Sequence, residues 1–380
     1  MISIDKRFNE RFNRNRQDIK KVYEFKNDTI PFIVNDVNYW LDGEDPDLMP
    51  SDYFNLPASM VNYQFKKIEH HLQNLDDHYV PFLHPWFGVG VVQSAIGCEY
   101  FIPEKGDPSL RTAVLKKPQD IRMLRKPDPY QHGLMPKVLE TIDFMVRNTD
   151  LPVCVTDTQG PLTIALGICG VENLFIWMCT EPDYAHEIMN FCSDVLIDWI
   201  KVQKKHIGLE KDRGAWPHGF VLPDGFGGAY VCDDDCTTIS ADLYKEFVVP
   251  YNSKVLKAFG GGTLHFCGTA IHQLENFLIT DGLTGINNFC MGNFEQIFKM
   301  KELFKDKIAL MVCDFAPLDI DSWLDSLFSK LKPQGTIVGL FVASSFALNN
   351  GTYSIVKRDV RETAPYIYGK LAQITSVNKS

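Results

Sequence analysis

The chain has 380 residues, and its 38 Lys and Arg stand against 48 Asp and Glu, a formal charge of −10. That balance repels phosphate backbones, and no basic stripe interleaved with aromatics is present, so the composition argues against nucleic-acid binding. Apolar residues make up 45% and charged ones 23%, an ordinary globular composition that rules out a largely disordered chain.

The length allows one large α/β domain or two average ones. No linker rich in Pro, Gly or Ser divides the sequence and no solenoid repeat is visible. The expected organisation is a helical arm over residues 1–30 and a single elaborated domain over 31–376. Most of the ten cysteines lie inside apolar runs (Cys154 in LPVCV, Cys169 in ALGIC, Cys313 in ALMVC), where free thiols pack as small hydrophobes. The start, MISIDKRFNERFNRNRQ, is polar and basic and does not read as a secretory leader. Together these features predict a reducing, cytoplasmic location.

In chain order, residues 6–26 read as a surface helix or arm packed by Phe8, Phe12, Val22 and Phe25. Eight short apolar runs then read as strands, at 31–35, 79–84, 151–156, 218–223, 263–267, 284–290, 307–313 and 335–343. Between them, Pro182 to Lys205 carries an apolar stripe of helical period, with Pro182 in the first turn and Thr180 as its expected cap. Similar patterns fill 241–259, 269–280, 294–305, 319–331 and 351–372. The apolar stretch Gly160 to Cys179 contains Glu172 and Asn173 near its middle, so it reads as a buried helix pair and not as a membrane span. Strands alternating with helices imply a parallel sheet, and eight such units imply a closed (β/α)8 TIM barrel. An open doubly wound sheet is the alternative. No G-x-G-x-x-G turn is present, and the glycines at 260–262 read as a helix-ending turn before a strand.

The chemistry-bearing residues cluster at predicted strand ends. His265 and Cys267 are i and i+2 on one strand, so both point to one face, at the barrel mouth. An imidazole and a thiol so placed are two of the three protein ligands of a catalytic zinc; a hydrogen-bonded core histidine beside a buried thiol is the plainer reading. Cys290 and Cys313 end the next two strands, and Cys232 and Cys236 bracket Asp233, Asp234 and Asp235. A carboxylate of that run, Asp234 or Asp233, would bind a polar substrate or act as a general base, if the run is not simply a solvated loop. Asp157 and Gln159 close another strand and open a helix whose first N–H groups can meet an anion. His84, between apolar neighbours in YVPFLHPWF, reads as a core residue or a substrate contact.

Three segments resemble the uroporphyrinogen decarboxylase-like superfamily, which includes the cobalamin-dependent methyltransferases. They are QGPLTIALGICGVENLFIWMCTEPDYAHEIM (159–189), ISADLYKEFVVPYNSKVLKAF (239–259) and HFCGTAIHQLENFLITDGLTGIN (265–287), the last carrying the H-x-C-G of the zinc methyltransferases. The resemblance implies a TIM barrel, zinc on His265 and Cys267, and a corrinoid supplied by a partner protein, since no Asp-x-His-x-x-Gly motif is present. It implies transfer of a methyl group between that corrinoid protein and a small-molecule thiol or tetrahydrofolate, and it leaves a homodimer open. Departures are visible too. The decarboxylases' R-Q-A-G-R motif has no counterpart in PFIVNDVNYWLDGEDPD, and Gly167 stands where they carry a tyrosine. The methyltransferases' third zinc ligand, a cysteine after the last strand, aligns with Phe346. Cys313 is the expected replacement, with Cys290 second. Two rival readings are a metal-independent decarboxylase or lyase acting on a small acid, with His265 as proton donor, and a non-catalytic ligand-binding barrel.

Overall fold

The parallel sheet expected from the strand–helix rhythm is present, in a computed structural model that describes residues 2–35, 52–103, 108–212 and 220–377. The strands are β1 (Phe32–Asn35), β2 (Tyr100–Phe101), β3 (Ser109–Leu110), β4 (Ala229–Cys232), β5 (Gly262–Cys267), β6 (Leu283–Phe289), β7 (Ala309–Phe315), β8 (Thr336–Phe341), β9 (Phe346–Asn349) and β10 (Thr352–Ile355). The α-helices are α1 (Asn9–Tyr23), α2 (Pro57–Asn74), α3 (Val91–Ile96), α4 (Met135–Asn148), α5 (Pro161–Cys169), α6 (Val171–Thr180), α7 (Pro182–Ile207), α8 (Ala241–Phe247), α9 (Val249–Ala258), α10 (Leu274–Leu278), α11 (Phe294–Phe304), α12 (Ile320–Phe328) and α13 (Val360–Val377).

Six strands pair in parallel in the order β1-β8-β7-β6-β5-β4. The remainder of the barrel wall differs from the expectation of eight regular strands. Among the described residues, segments 79–84 and 151–156 join through the isolated bridges Leu83↔Val153 and Val153↔Asp212, the following Gln159 bridges to Cys232, and the His78 N–H donates to the Phe32 carbonyl. Pro81, Pro85 and Pro152 each remove a ladder donor there, which keeps these segments irregular. The run at 218–223 is corrected: the strand preceding β5 is β4, Ala229–Cys232, and residues 213–219 lie outside the described residues. So does most of the segment 31–47 that lacks the arginine motif.

Alternation along each strand separates two cores. Ala309, Met311 and Cys313 of β7, Ile337 and Phe341 of β8 and Ile33 of β1 form an inner cluster. Leu310, Val312, Val338, Leu340, Phe32 and Val34 face the surrounding helices. Both faces of the six-stranded parallel sheet are therefore buried, which explains the near-continuous apolar sequences of its strands. Helix α1 is not a surface arm: Ile19, Val22 and Tyr23 belong to the inner cluster. The Tyr23 hydroxyl lies 3.2 Å from Thr263 Oγ1 at the start of β5, so the helix closes the barrel floor.

Other boundaries move for local reasons. The helix expected over 241–259 breaks at Val248, two residues before Pro250, into α8 and α9. Ser240 caps α8 as expected, accepting the Leu243 N–H at 3.3 Å. Thr180 does not cap α7; its hydroxyl donates to the Ile176 carbonyl and Glu181 occupies the cap position. The helix expected from residue 351 begins only at Val360, after the hairpin β9–β10. Helices α5 and α6 meet at 105° around Gly170, and no single described helix is long and apolar enough to cross a membrane.

Candidate metal centre at the barrel mouth

Register places the site. In the parallel ladder Cys232 of β4 pairs with His265 of β5, which pairs with Asn287 of β6. Residues directly opposite one another share a face, and i, i+2 residues share it too, so Cys232, His265, Cys267 and Asn287 point to one side of the sheet. The turn after β4 brings Asp234 over the same face, where its Oδ1 accepts the Cys267 N–H at 2.6 Å. Gly160 lets that turn approach: its N–H donates to the Cys232 carbonyl at 2.6 Å, and a Cβ there would sit 2.9 Å from the same oxygen.

His265 is buried, with Nδ1 2.5 Å from Asn287 Oδ1. The tautomer follows from the partners of Asn287. Its Nδ2 faces the Met311 carbonyl (3.3 Å), which can only accept, and the Cys313 sulfur (2.9 Å). Oδ1 is thus turned to the imidazole, Nδ1 must donate, and Nε2 carries the lone pair. Around Nε2 lie Cys267 Sγ at 3.4 Å and Asp234 Oδ1 at 3.6 Å, and Cys232 Sγ lies 3.4 Å from Asp234 Oδ2. One ligand atom each from Cys232, Asp234 and His265 fits within 4.8 Å of the others.

Electrostatics favour a cation here. Burial holds His265 below its usual range, against the opposing pull of Asp234 and the Asn287 bond, so the ring is a neutral ligand at pH 7. Burial pushes the Cys232 thiol far up, and Asp234 and Asp157 push it further. No Lys or Arg pairs with Asp233, Asp234, Asp235 or Asp314 among the described residues. A divalent ion reverses that logic by stabilising thiolates. An imidazole lone pair, the Cys232 thiol and the Asp234 carboxylate within 4.8 Å of one another, with Cys267 Sγ 3.4 Å from the imidazole, fit a zinc-type ion.

The remaining predicted residues stand apart from this point. Asp233 is buried and turned toward α8 and α9, its Oδ2 accepting from the Tyr244 hydroxyl (2.6 Å) and Asn252 Nδ2 (2.8 Å). Burial raises it to about 7. Asp235 accepts from Thr163 of α5 at 2.6 Å. Asp157 is buried and bonded by the Gln159 amide. His84 is buried against Trp86, and its Nε2 meets no hydrogen-bond partner among the described residues. Cys313 receives the Asn287 amide; it pairs with Phe289 of β6, which pairs with Cys267, so an aromatic side chain stands between the two thiols. The Cys290 thiol donates to Asp314 at 3.2 Å. Phe346 packs its ring on Phe315 (4.8 Å) and Tyr353 (5.6 Å), forming an apolar wall. Asn287 escaped the sequence reading; its signal was a pair of asparagines inside a buried strand, TGINNFC.

Residues 67–207 match the family model described as uroporphyrinogen decarboxylase (URO-D). A methylated-thiol–coenzyme M methyltransferase from Methanosarcina mazei is 28% identical over 188 residues, 48% of this chain and 46% of that protein. The chain therefore spans about half the length of this curated relative. A solved methyltransferase structure from Methanosarcina mazei matches with a TM-score of 0.64 at 15% identity, covering 96% of this chain and 99% of that one. That likeness shows a shared fold.

Proposed function

We propose that this chain, which belongs to the uroporphyrinogen decarboxylase-like superfamily, is a methyltransferase that moves a methyl group between a corrinoid protein and a thiol or tetrahydrofolate acceptor at the barrel mouth. The observation that carries the reading is the Nε2 lone pair of His265, aimed by Asn287 at the point where Cys267 and Asp234 converge. A zinc-type ion bound there supplies a Lewis acid that depresses an acceptor thiol from its usual pKa of about 8.5. His265 and Cys267 would hold the ion, with Asn287 fixing the imidazole ring. Asp234, whose side chain is 47% exposed, stands where it can take the acceptor's proton. Phe289, Phe315 and Phe341 pack ring against ring beside His265 and keep water from one side of the reacting centre.

The decarboxylase alternative needs an acid at His265, and a buried imidazole held below its usual range is a poor proton donor at pH 7. The experiment is direct. Zinc-loaded protein is mixed with methylcobalamin or a methylated corrinoid protein and a small thiol, and demethylation is followed by cobalamin absorbance. Turnover that disappears in His265→Ala supports the reading. No methyl transfer to any thiol or folate acceptor, with carbon dioxide released from a small acid by metal-free protein, would overturn it.

A further inference from the structure

We propose that the thiol missing at position 346 is supplied from the other side of the mouth, by Cys232 of β4, so that the ion is held by His265, Cys267 and Cys232. The inference rests on the metal-based reading of the site and names its third protein ligand.

Geometry carries it. Metal–sulfur and metal–nitrogen bonds of about 2.3 and 2.0 Å in a tetrahedral zinc site put neighbouring donors about 3.3–3.8 Å apart. Among the proposed ligands, Cys267 Sγ to His265 Nε2 already has that size at 3.4 Å, and Cys232 Sγ lies within 4.8 Å of the His265 ligand nitrogen, with the Asp234 carboxylate between them at 3.6 Å from Nε2 and 3.4 Å from Cys232 Sγ. Cys232 lies on the strand next to β5 and in register with His265, so its side chain shares the imidazole's face by construction. It also stands outside both large apolar cores, grouped only with Tyr230, and its S–H is engaged by a carboxylate. Cys313, by contrast, sits on the second strand from β5, behind Phe289, with its sulfur taken by Asn287. The wall at Phe346 is filled by Phe315 and Tyr353. Asp234 is the most exposed of the converging donors besides Cys267 and lies on the solvent side, where it can serve as the fourth, exchangeable ligand. Ion entry converts two thiols to thiolates and releases two protons to solvent.

The test uses the full chain stripped by chelator and reloaded with Co²⁺, whose near-ultraviolet charge-transfer band reports bound thiolates, and with Zn²⁺ counted by atomic emission. Expected are one ion per wild-type chain, loss of about half the band in both Cys232→Ser and Cys267→Ser, and a zinc affinity lowered about tenfold or more in each, on the scale of perturbed metal sites. Cys313→Ser should keep the band. Cys232→Ala, compared by circular dichroism and thermal melting without metal, guards against a folding defect confined to the serine variant. A full band in both Cys232 variants, with half lost in Cys313→Ser, overturns this ligand assignment and leaves metal-assisted transfer standing. Wild-type protein that takes up neither ion overturns the assignment and the metal-based reading together.

Discussion

Asn287 makes no contact with solvent, yet it fixes which nitrogen of His265 carries the lone pair. Replacing it by leucine keeps the volume and removes the acceptor, leaving the Nδ1–H buried and unsatisfied. Asn287→Leu should therefore lose metal affinity by about 10–100-fold, the range for partners that orient metal-bound histidines, with the fold retained. Competition against a chromogenic chelator measures this, and unchanged affinity would remove Asn287 from the site. His84 offers a second residue-scale test, in pH. Burial depresses its pKa from 6.5 to about 3, so the folded chain refuses a proton that the unfolded chain binds below pH 6.5. Its stability contribution is complete above that pH and is lost as the pH falls from 6.5 toward 3, at about 1.4 kcal/mol per unit. Gln64 bonds the backbone of His84, not its ring, so His84→Phe keeps that contact. The stability of His84→Phe relative to wild type should then rise by about 2 kcal/mol between pH 6.5 and 4.5. Urea melts across that range decide it, and a constant difference would mean that the ring is protonated in the folded chain.

At the scale of elements, the positioning of the donors depends on how closely α5 and β4 approach. Gly160 has an ordinary φ of −65°, so its requirement is steric: a Cβ would meet both the Cys232 carbonyl oxygen and Val231 Cγ1 at 2.9 Å. Gly160→Ala should cost about 1–3 kcal/mol by overpacking, read as a lower urea midpoint, and should lower metal occupancy by displacing Cys232. A wild-type midpoint would show that the two elements can part without cost. The same pair of elements shows what the sequence did and did not reveal. H-x-C on β5 was readable because period 2 fixes the face of a strand without any tertiary information. The four residues of β4 were not, since HGFVLP upstream is as apolar as GAYVC and run length alone cannot choose between them. With β4 misplaced, Cys232 read only as a flank of the acidic run, and Cys313 stood as the expected third ligand. The hairpin β9–β10 had a local signal that the helical period over 351–372 obscured. Asn350 and Gly351, with φ of 47° and 78°, form the two-residue turn that Asn-Gly favours.

For the molecule as a whole, the proposed metal site and the packing of α1 lie toward opposite ends of the parallel strands. The mouth gathers polar donors beside a cluster of phenylalanines, and α1 packs Ile19, Val22 and Tyr23 into the inner core from the other end. Tyr23 is the sealing residue: it is 3% exposed, its hydroxyl meets Thr263, and its ring edge lies about where a side chain on Gly285 would stand, 3.1 Å from that glycine's would-be Cβ. Burial pushes its phenol to about 12, so it stays protonated and acts purely by packing and by one hydrogen bond. Tyr23→Phe removes the bond alone and should cost about 1 kcal/mol. Tyr23→Ala empties the floor beside Thr263, Gly285 and Met311 and should cost about 3–5 kcal/mol, as for other large aromatic deletions in cores. Because the lost hydroxyl bonds Thr263 Oγ1 and touches none of the donors, folded Tyr23→Phe should bind metal like the wild type. The contrast between the two variants in denaturant melts separates a plug from an arm. If Tyr23→Ala costs no more than Tyr23→Phe, then α1 merely lies on the barrel, and the inner core is complete without residues 1–30.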